Sequence, residues 1–164
     1  MRRLYRAALV FAVSVTTGVA QETGEAVLTL DGVEYAARLD PNQSDWSGSF
    51  PSGSASIRFQ GVDRGRVAEF GSLMVGFEFN GTSATNPEVD LVRLPQGKLE
   101  RLCARKDAAR GALRVEITGI SAKGSDLVMT GTVTGKLGTS GDFCRSIDLS
   151  NPVSFKVTFS ATIR

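Results

Sequence analysis

Apolar and polar residues alternate over twelve positions in the last part of the chain. The apolar set is Val153, Phe155, Val157, Phe159, Ala161 and Ile163, and the residues between them are polar. A period of two places one set on each face of a β-strand, whereas a helix would distribute the apolar side chains around its circumference. The pattern therefore predicts a long strand with one buried face.

Shorter stretches of the same kind recur upstream. They are residues 26–30, 33–39, 56–60, 66–70, 72–80, 89–94, 112–120 and 126–137. Asp31 and Gly32 separate the first two, and this dipeptide favours a type I′ hairpin turn because both positions need a positive φ. Gly131 and Gly135 interrupt the last stretch and indicate a bend, a bulge or a close approach to another sheet.

Two segments depart from the alternation. Residues 41–54 are rich in Ser, Asn, Gly and Pro and predict a long loop. Near residues 97–110, Leu99, Leu102 and Cys103 follow the i, i+3, i+4 spacing of a short helix. A strand over residues 99–104 is the alternative interpretation of that segment.

These elements predict an all-β domain. About eight or nine short strands, with turn signals roughly every 8–12 residues, are typical of β-sandwiches and barrels. We expect an antiparallel β-sandwich, because the strand lengths are uneven and the loops irregular, with at most one short helix near residues 97–110. A small β-barrel is the alternative, since periodicity does not reveal whether a sheet closes.

The first twenty residues have the features of an export signal. Arg2, Arg3 and Arg6 supply the positive charge. Residues 7–15 form an apolar stretch too short to span a bilayer, and the small residues Gly18 and Ala20 fit the subsites of a signal peptidase. We expect cleavage after Ala20, with an uncut N-terminal anchor as the alternative. The expected locations are the periplasm and the cell exterior.

Cleavage at this position would leave residues 21–164 as a single domain. Three arginines would be lost, leaving 16 basic residues against 17 acidic ones and a net charge of −1. This balance does not favour nucleic-acid binding, and the remaining chain is not expected to be an integral membrane protein. The expected partner is a protein of the cell envelope or the exterior, or a small ligand.

Cys103 and Cys144 are the two cysteines of the chain. In an exported protein such a pair usually forms a disulfide, and their separation does not match a redox CxxC motif. The bond would close a loop of about 42 residues, which the chain-entropy model values at about 4 kcal/mol. Two buried free thiols are the alternative.

Catalytic motifs are missing from the sequence. It contains no histidine, which disfavours most catalytic triads and the commonest zinc sites, and it has no GxSxG or SxxK motif. Asp40, Asn42 and Asp45 do not follow the spacing of a calcium loop and are typical of turns. We therefore expect no catalytic residues, metal or cofactor. The remaining enzymatic option is a pair of carboxylates that includes Glu69 or Glu78, although alternation points Glu78 outward.

Three residues are candidates for ligand or partner contact. Trp46, the single tryptophan, is either an exposed stacking residue or a cap that fastens its loop to the core. Arg101 and Arg105 belong to a basic cluster with Lys98, Lys106 and Arg110. On a helix, Arg101 and Arg105 would share a cationic face suited to an anionic headgroup or polysaccharide.

Three functions are compatible with this sequence. The first is an exported, non-enzymatic β-domain that binds a protein partner or ligand through its loops, where binding residues are usually found. The second is a small β-barrel that carries an apolar ligand. The third is a carboxylate-dependent hydrolase.

Overall fold

The computed structural model describes residues 23–62, 70–107 and 112–164. Ten strands make up most of this part of the chain, and two 3-10 turns, Pro41–Gln43 and Pro95–Gly97, are its only helical elements. The strands are β1 (Thr23–Leu30), β2 (Val33–Leu39), β3 (Asp45–Ser49), β4 (Ser52–Gly61), β5 (Phe70–Asn80), β6 (Ser83–Arg93), β7 (Glu100–Arg105), β8 (Arg114–Lys123), β9 (Asp126–Thr139) and β10 (Asp148–Ile163). The all-β prediction is confirmed.

Antiparallel pairing joins all ten strands into one sheet. The order is β10-β1-β2-β4-β5-β6-β7-β9-β8, and β3 adds to β4. Strand β10 also pairs with β9, so the hydrogen bonding between strands forms a closed circuit. Two strands pair with the same edge of β9: β8 along its first part and β7 at its end. Barrels and sandwiches whose sheets share strands both have this kind of connectivity.

The inward faces of the strands form one apolar cluster. In β10, Val157 and Phe159 are buried while Thr158 and Ser160 are exposed, as the alternation predicts. The rings of Phe59 and Phe159, from β4 and β10, lie 6.3 Å apart between centroids. Burial of each such large side chain stabilises the fold by about 1.5–3 kcal/mol before entropic costs.

Glycines are required at the predicted turn and at a close contact. Asp31 and Gly32 both have positive φ, 47° and 83°, as a type I′ turn demands. A Cβ atom at Gly131 would lie 2.7 Å from the carbonyl oxygen of Glu116 on β8. This close approach is made by the neighbouring strand of the same sheet, and not by another sheet.

The segment for which we considered both a helix and a strand forms β7. Leu102 and Ala104 point into the core, while Cys103 between them lies on the opposite face. Pairing with β6 and β9 imposes this period of two in place of the helical spacing. Residues 108–110 of the predicted segment lie outside the described residues.

Part of the predicted loop 41–54 also forms a strand. Strand β3 pairs with β4 from Asp45, opposite Ser56, to Ser49, opposite Ser52. Four of its five residues are exposed, so the strand has no alternation of buried and exposed positions. It forms because its backbone pairs with β4. The prediction of a continuous loop was wrong for this half of the segment.

The predicted export signal, residues 1–20, lies outside the described residues, as do Glu69 and most of the predicted strand 66–70. Within the part of the chain that the structure describes, no helix has the length and apolar character needed to cross a membrane.

Candidate functional site

A disulfide joins strand β7 to the connection between β9 and β10. Cys103 and Cys144 are bonded, with their Cα atoms 5.6 Å apart. We call residues 140–147, which contain Cys144, the disulfide loop. Both cysteines are buried although Cys103 is on the outer face of β7, because the disulfide loop covers that face. The predicted bridge therefore also fixes a loop on the sheet surface.

Three polar side chains shape the interior of the disulfide loop. The Ser140 hydroxyl accepts a hydrogen bond from the Cys144 amide at 2.9 Å and donates one to Asp142 Oδ1 at 2.9 Å. Ser146 donates to Asp142 through its hydroxyl at 2.6 Å and its amide at 2.9 Å. The hydrogen bonds from Ser146, followed by that from Ser140, lower the pKa of Asp142 to about 2.

The disulfide loop holds Phe143 in an unfavourable backbone conformation. Phe143 and Cys144 both adopt left-handed φ values, 58° and 64°, which are uncommon for residues with a bulky side chain. Such conformations cost on the order of 1–3 kcal/mol each and persist only where the surroundings enforce them. Here the disulfide and the hydrogen bonds of Ser140 do so, and Phe143 remains 74% exposed.

An open groove of about 750 Å³ lies between the disulfide loop and the start of β7. Its walls are formed by Leu99, Glu100, Arg101, Thr139, Ser140, Gly141, Phe143, Ser146, Ile147 and Asp148. Leu99 and Phe143, at 65% and 74%, are the two most exposed large apolar side chains among the described residues. Both of them line this groove.

Arg101 connects the groove to the sheet beneath it. Its guanidinium carbon lies 4.3 Å from the centroid of the Phe143 ring, a cation–π contact. Its Nε is 3.3 Å from Oδ1 of Asp90 on β6. These two atoms are buried and form no hydrogen bond of normal geometry, so their attraction is mainly electrostatic. Arg101 is therefore held between Phe143 and Asp90.

Asp90, Cys103 and Cys144 bring one carboxylate oxygen and two sulfurs within 4.8 Å of one another. Both sulfurs belong to the disulfide, so neither is available as the thiolate that a metal ion binds. This group is therefore part of the disulfide packing.

Arg105 lies on the same face of β7 as Arg101 but away from the groove. Its register partner on β6 is Glu88, so opposite charges face each other across the two strands. In a strand, residues four positions apart are separated by about 13 Å, compared with about 6 Å on a helix. The continuous cationic face expected for a helix is therefore not formed.

Trp46 is fastened to the body of the protein. Its indole nitrogen donates a hydrogen bond to the carbonyl of Ser125 at 2.8 Å, and its ring centroid is 6.4 Å from that of Phe79. The half-buried side chain packs against the core cluster. Of the two roles considered from the sequence, these contacts correspond to the cap.

Glu78 is exposed on the outer face of β5, as the alternation predicts. Its carboxylate accepts hydrogen bonds from Asn86 at 2.9 Å and from Thr85 at 3.4 Å.

Asp40 accepts hydrogen bonds from the Asn42 amide at 3.1 Å and the Gln60 side chain at 3.0 Å. The hydrogen bond from Asn42 is the turn interaction expected for that segment.

The sequence analysis named Arg101 and the disulfide but not the other residues that line the groove. The available signal was the segment Ser-Gly-Asp-Phe-Cys-Arg-Ser at 140–146, in which residues typical of turns surround a cysteine. A phenylalanine inside such a segment has no strand face on which to be buried. That combination predicts an exposed aromatic side chain on a constrained loop.

Comparison with protein-family models, curated proteins and solved structures found no match to this chain.

Proposed function

We propose that this chain is an exported, non-enzymatic β-domain that binds a partner protein through the groove beside the disulfide loop. The observation that carries the proposal is the meeting of Leu99 and Phe143 in one groove, since these are the most exposed large apolar side chains among the described residues. Clustered apolar side chains exposed to solvent are typical of interaction sites.

The chemistry and rigidity of the groove support this function. Phenylalanine and arginine are enriched in protein interfaces, and Phe143 stacks on Arg101. The disulfide and the hydrogen bonds of Asp142 hold Phe143 in place before a partner arrives. A side chain ordered in advance loses less conformational entropy on binding, which increases affinity.

Export is supported by the disulfide and by the N-terminal sequence. Disulfides persist in oxidising compartments, and residues 1–20 have the features of a signal peptide. The disulfide stabilises the proposed site, so an oxidising location and binding through the groove are consistent with each other. The periplasm and the cell exterior both satisfy this requirement.

The alternatives have less support. A carrier would hold an apolar ligand within the fold, but Phe59, Phe159 and the other core side chains pack against one another there. A hydrolase would need a buried acid inside a cleft, and Glu78, which lines an open surface pocket with Asp45 and Glu88, is exposed as they are. In the groove, the Ser146 hydroxyl donates to Asp142, but a carboxylate with a pKa of about 2 is a weak base for activating a nucleophile.

Photo-cross-linking in the organism that encodes the chain tests the proposal. The photo-reactive amino acid p-benzoylphenylalanine replaces Phe143 in one variant and Phe50 in the matched control. Phe50 is 45% exposed and does not line the groove. We expect discrete adducts with one or a few proteins at position 143 and none of these at position 50. No adduct at position 143, or the same adducts at both positions, would contradict the proposal.

Affinity for the captured protein then measures the contribution of Phe143. We expect Phe143→Ser to weaken binding by about 30-fold, equivalent to about 2 kcal/mol for a central interface residue. Phe50→Ser should leave the affinity unchanged. Both variants should unfold close to the midpoint of the parent, because Phe143 is 74% exposed and Phe50 is 45% exposed.

A further inference from the structure

One charged residue of the groove forms no ion pair with another described residue. Three charged residues line it: Glu100, Arg101 and Asp148. Glu100 pairs with Arg93 on β6, and Arg101 pairs with Asp90. Among the residues that the structure describes, Asp148 has no ion-pair partner. The groove therefore presents apolar side chains together with one uncompensated negative charge.

Asp148 is held at the edge of the groove in its ionised form. It is exposed at the start of β10, opposite Thr139, and follows Ile147 of the disulfide loop. Its Oδ1 accepts a hydrogen bond from the Ser150 amide at 2.8 Å. An exposed aspartate is negative at neutral pH, and the hydrogen bonds from Ser150 lower its pKa further.

We infer that the partner presents an apolar side chain next to a lysine or arginine, so that the apolar group contacts Leu99 and Phe143 while the cation approaches Asp148. This inference rests on the proposed function and specifies the partner's chemistry at the same groove. Complementary charge contributes mainly to specificity. An exposed pair of this kind is expected to change affinity by about two- to fivefold.

Two capped dipeptides that differ in charge provide the test. N-acetyl-phenylalanyl-lysine amide and N-acetyl-phenylalanyl-glutamate amide are titrated separately into the folded, oxidised, ¹⁵N-labelled domain, and amide chemical shifts are followed by NMR. We expect both to shift resonances of the disulfide loop and of Leu99, with a Kd on the order of 1 mM for the lysine peptide. The glutamate peptide should bind two- to fivefold more weakly.

The Asp148→Asn variant identifies the source of the preference. Asparagine retains an oxygen that can accept the hydrogen bond from Ser150 but removes the charge. We expect the two dipeptides to bind this variant equally. The matched control is Asp31→Asn, which removes an exposed carboxylate from the β1–β2 turn and should leave the preference unchanged.

The outcomes separate this inference from the proposed function. Equal binding of the two dipeptides at the groove of the parent overturns the inference and leaves the groove as a binding site. A preference for the glutamate peptide, or a lysine preference that survives in Asp148→Asn, also overturns it. If neither dipeptide shifts groove resonances, the inference fails, and cross-linking at position 143 decides independently whether the groove binds a protein.

Discussion

The β9–β10 ladder and the disulfide loop that connects its two strands are organised by different forces. The ladder pairs residues continuously from Leu127 with Ile163 to Leu137 with Val153, and side chains alternate between core and solvent. The disulfide loop has no repeating pattern, and side-chain hydrogen bonds and one covalent bond determine its shape. Repetition of simple contacts stabilises the ladder, whereas the loop depends on a few specific atoms. The proposed binding site lies in the second kind of structure.

Removal of the disulfide should produce the largest difference between the responses of the disulfide loop and the ladder. We expect the double variant Cys103→Ala, Cys144→Ala to lose about 4 kcal/mol of unfolding free energy, because its unfolded chain is no longer constrained. Urea unfolding followed by circular dichroism measures this change. The far-ultraviolet spectrum of the native variant should remain that of a β-protein, while affinity for the cross-linked partner falls.

The parent protein treated with a dithiol reductant serves as the control for that variant. Its unfolding midpoint should approach that of the double variant. Equal midpoints for the oxidised parent and the double variant would show that the disulfide does not stabilise the fold.

Neighbouring substitutions in β9 should show how the ladder is stabilised. Leu127 is fully buried and Val128 is 40% exposed. We expect Leu127→Ala to cost about 3 kcal/mol, since it leaves a cavity, and Val128→Ala to change stability by less than about 0.5 kcal/mol. Urea unfolding of the two variants gives the comparison. Similar losses for both would mean that β9 does not alternate as described.

Acidification below about pH 4 should weaken the disulfide loop through Asp142. The pKa of Asp142 is about 2 in the folded protein, below the ordinary value of 3.8. Because the folded-state pKa is depressed, Asp142 stabilises the loop above pH 4, and this contribution disappears as the pH falls through about 2. Carboxyl ¹³C chemical shifts measured against pH should give this midpoint, which Ser146→Ala should raise. An unchanged midpoint in that variant would contradict the role assigned to Ser146.

The sequence predicts the features that are determined by residues close together in the chain. The twelve alternating positions of β10, the positive φ values of Asp31 and Gly32, and the outward direction of Glu78 all follow from short patterns. Each depends on neighbours within a few residues, so no knowledge of distant pairing is needed.

Features that depend on register could not be predicted in this way. Strand β3 exists because Asp45–Ser49 pairs with β4 and not because of its own apolar pattern. Arg101 reaches Asp90 because β6 and β7 align Asp90 opposite Cys103, which places Arg101 diagonally from Asp90 on the same face. Arg101 was identified from its charge, but its contact with Phe143 depends on the strand register and on the disulfide that brings the loop over β7.

The closed circuit of strands also constrains how the chain acquires its structure. Thr23 of β1 pairs with Thr162 of β10, so the circuit is completed by residues from opposite ends of the described chain. Contacts between residues so distant in sequence form slowly, because the loss of chain entropy precedes the gain from pairing. Until β10 joins, one edge of β1 and one edge of β9 lack their partner strand and are open to association with other chains.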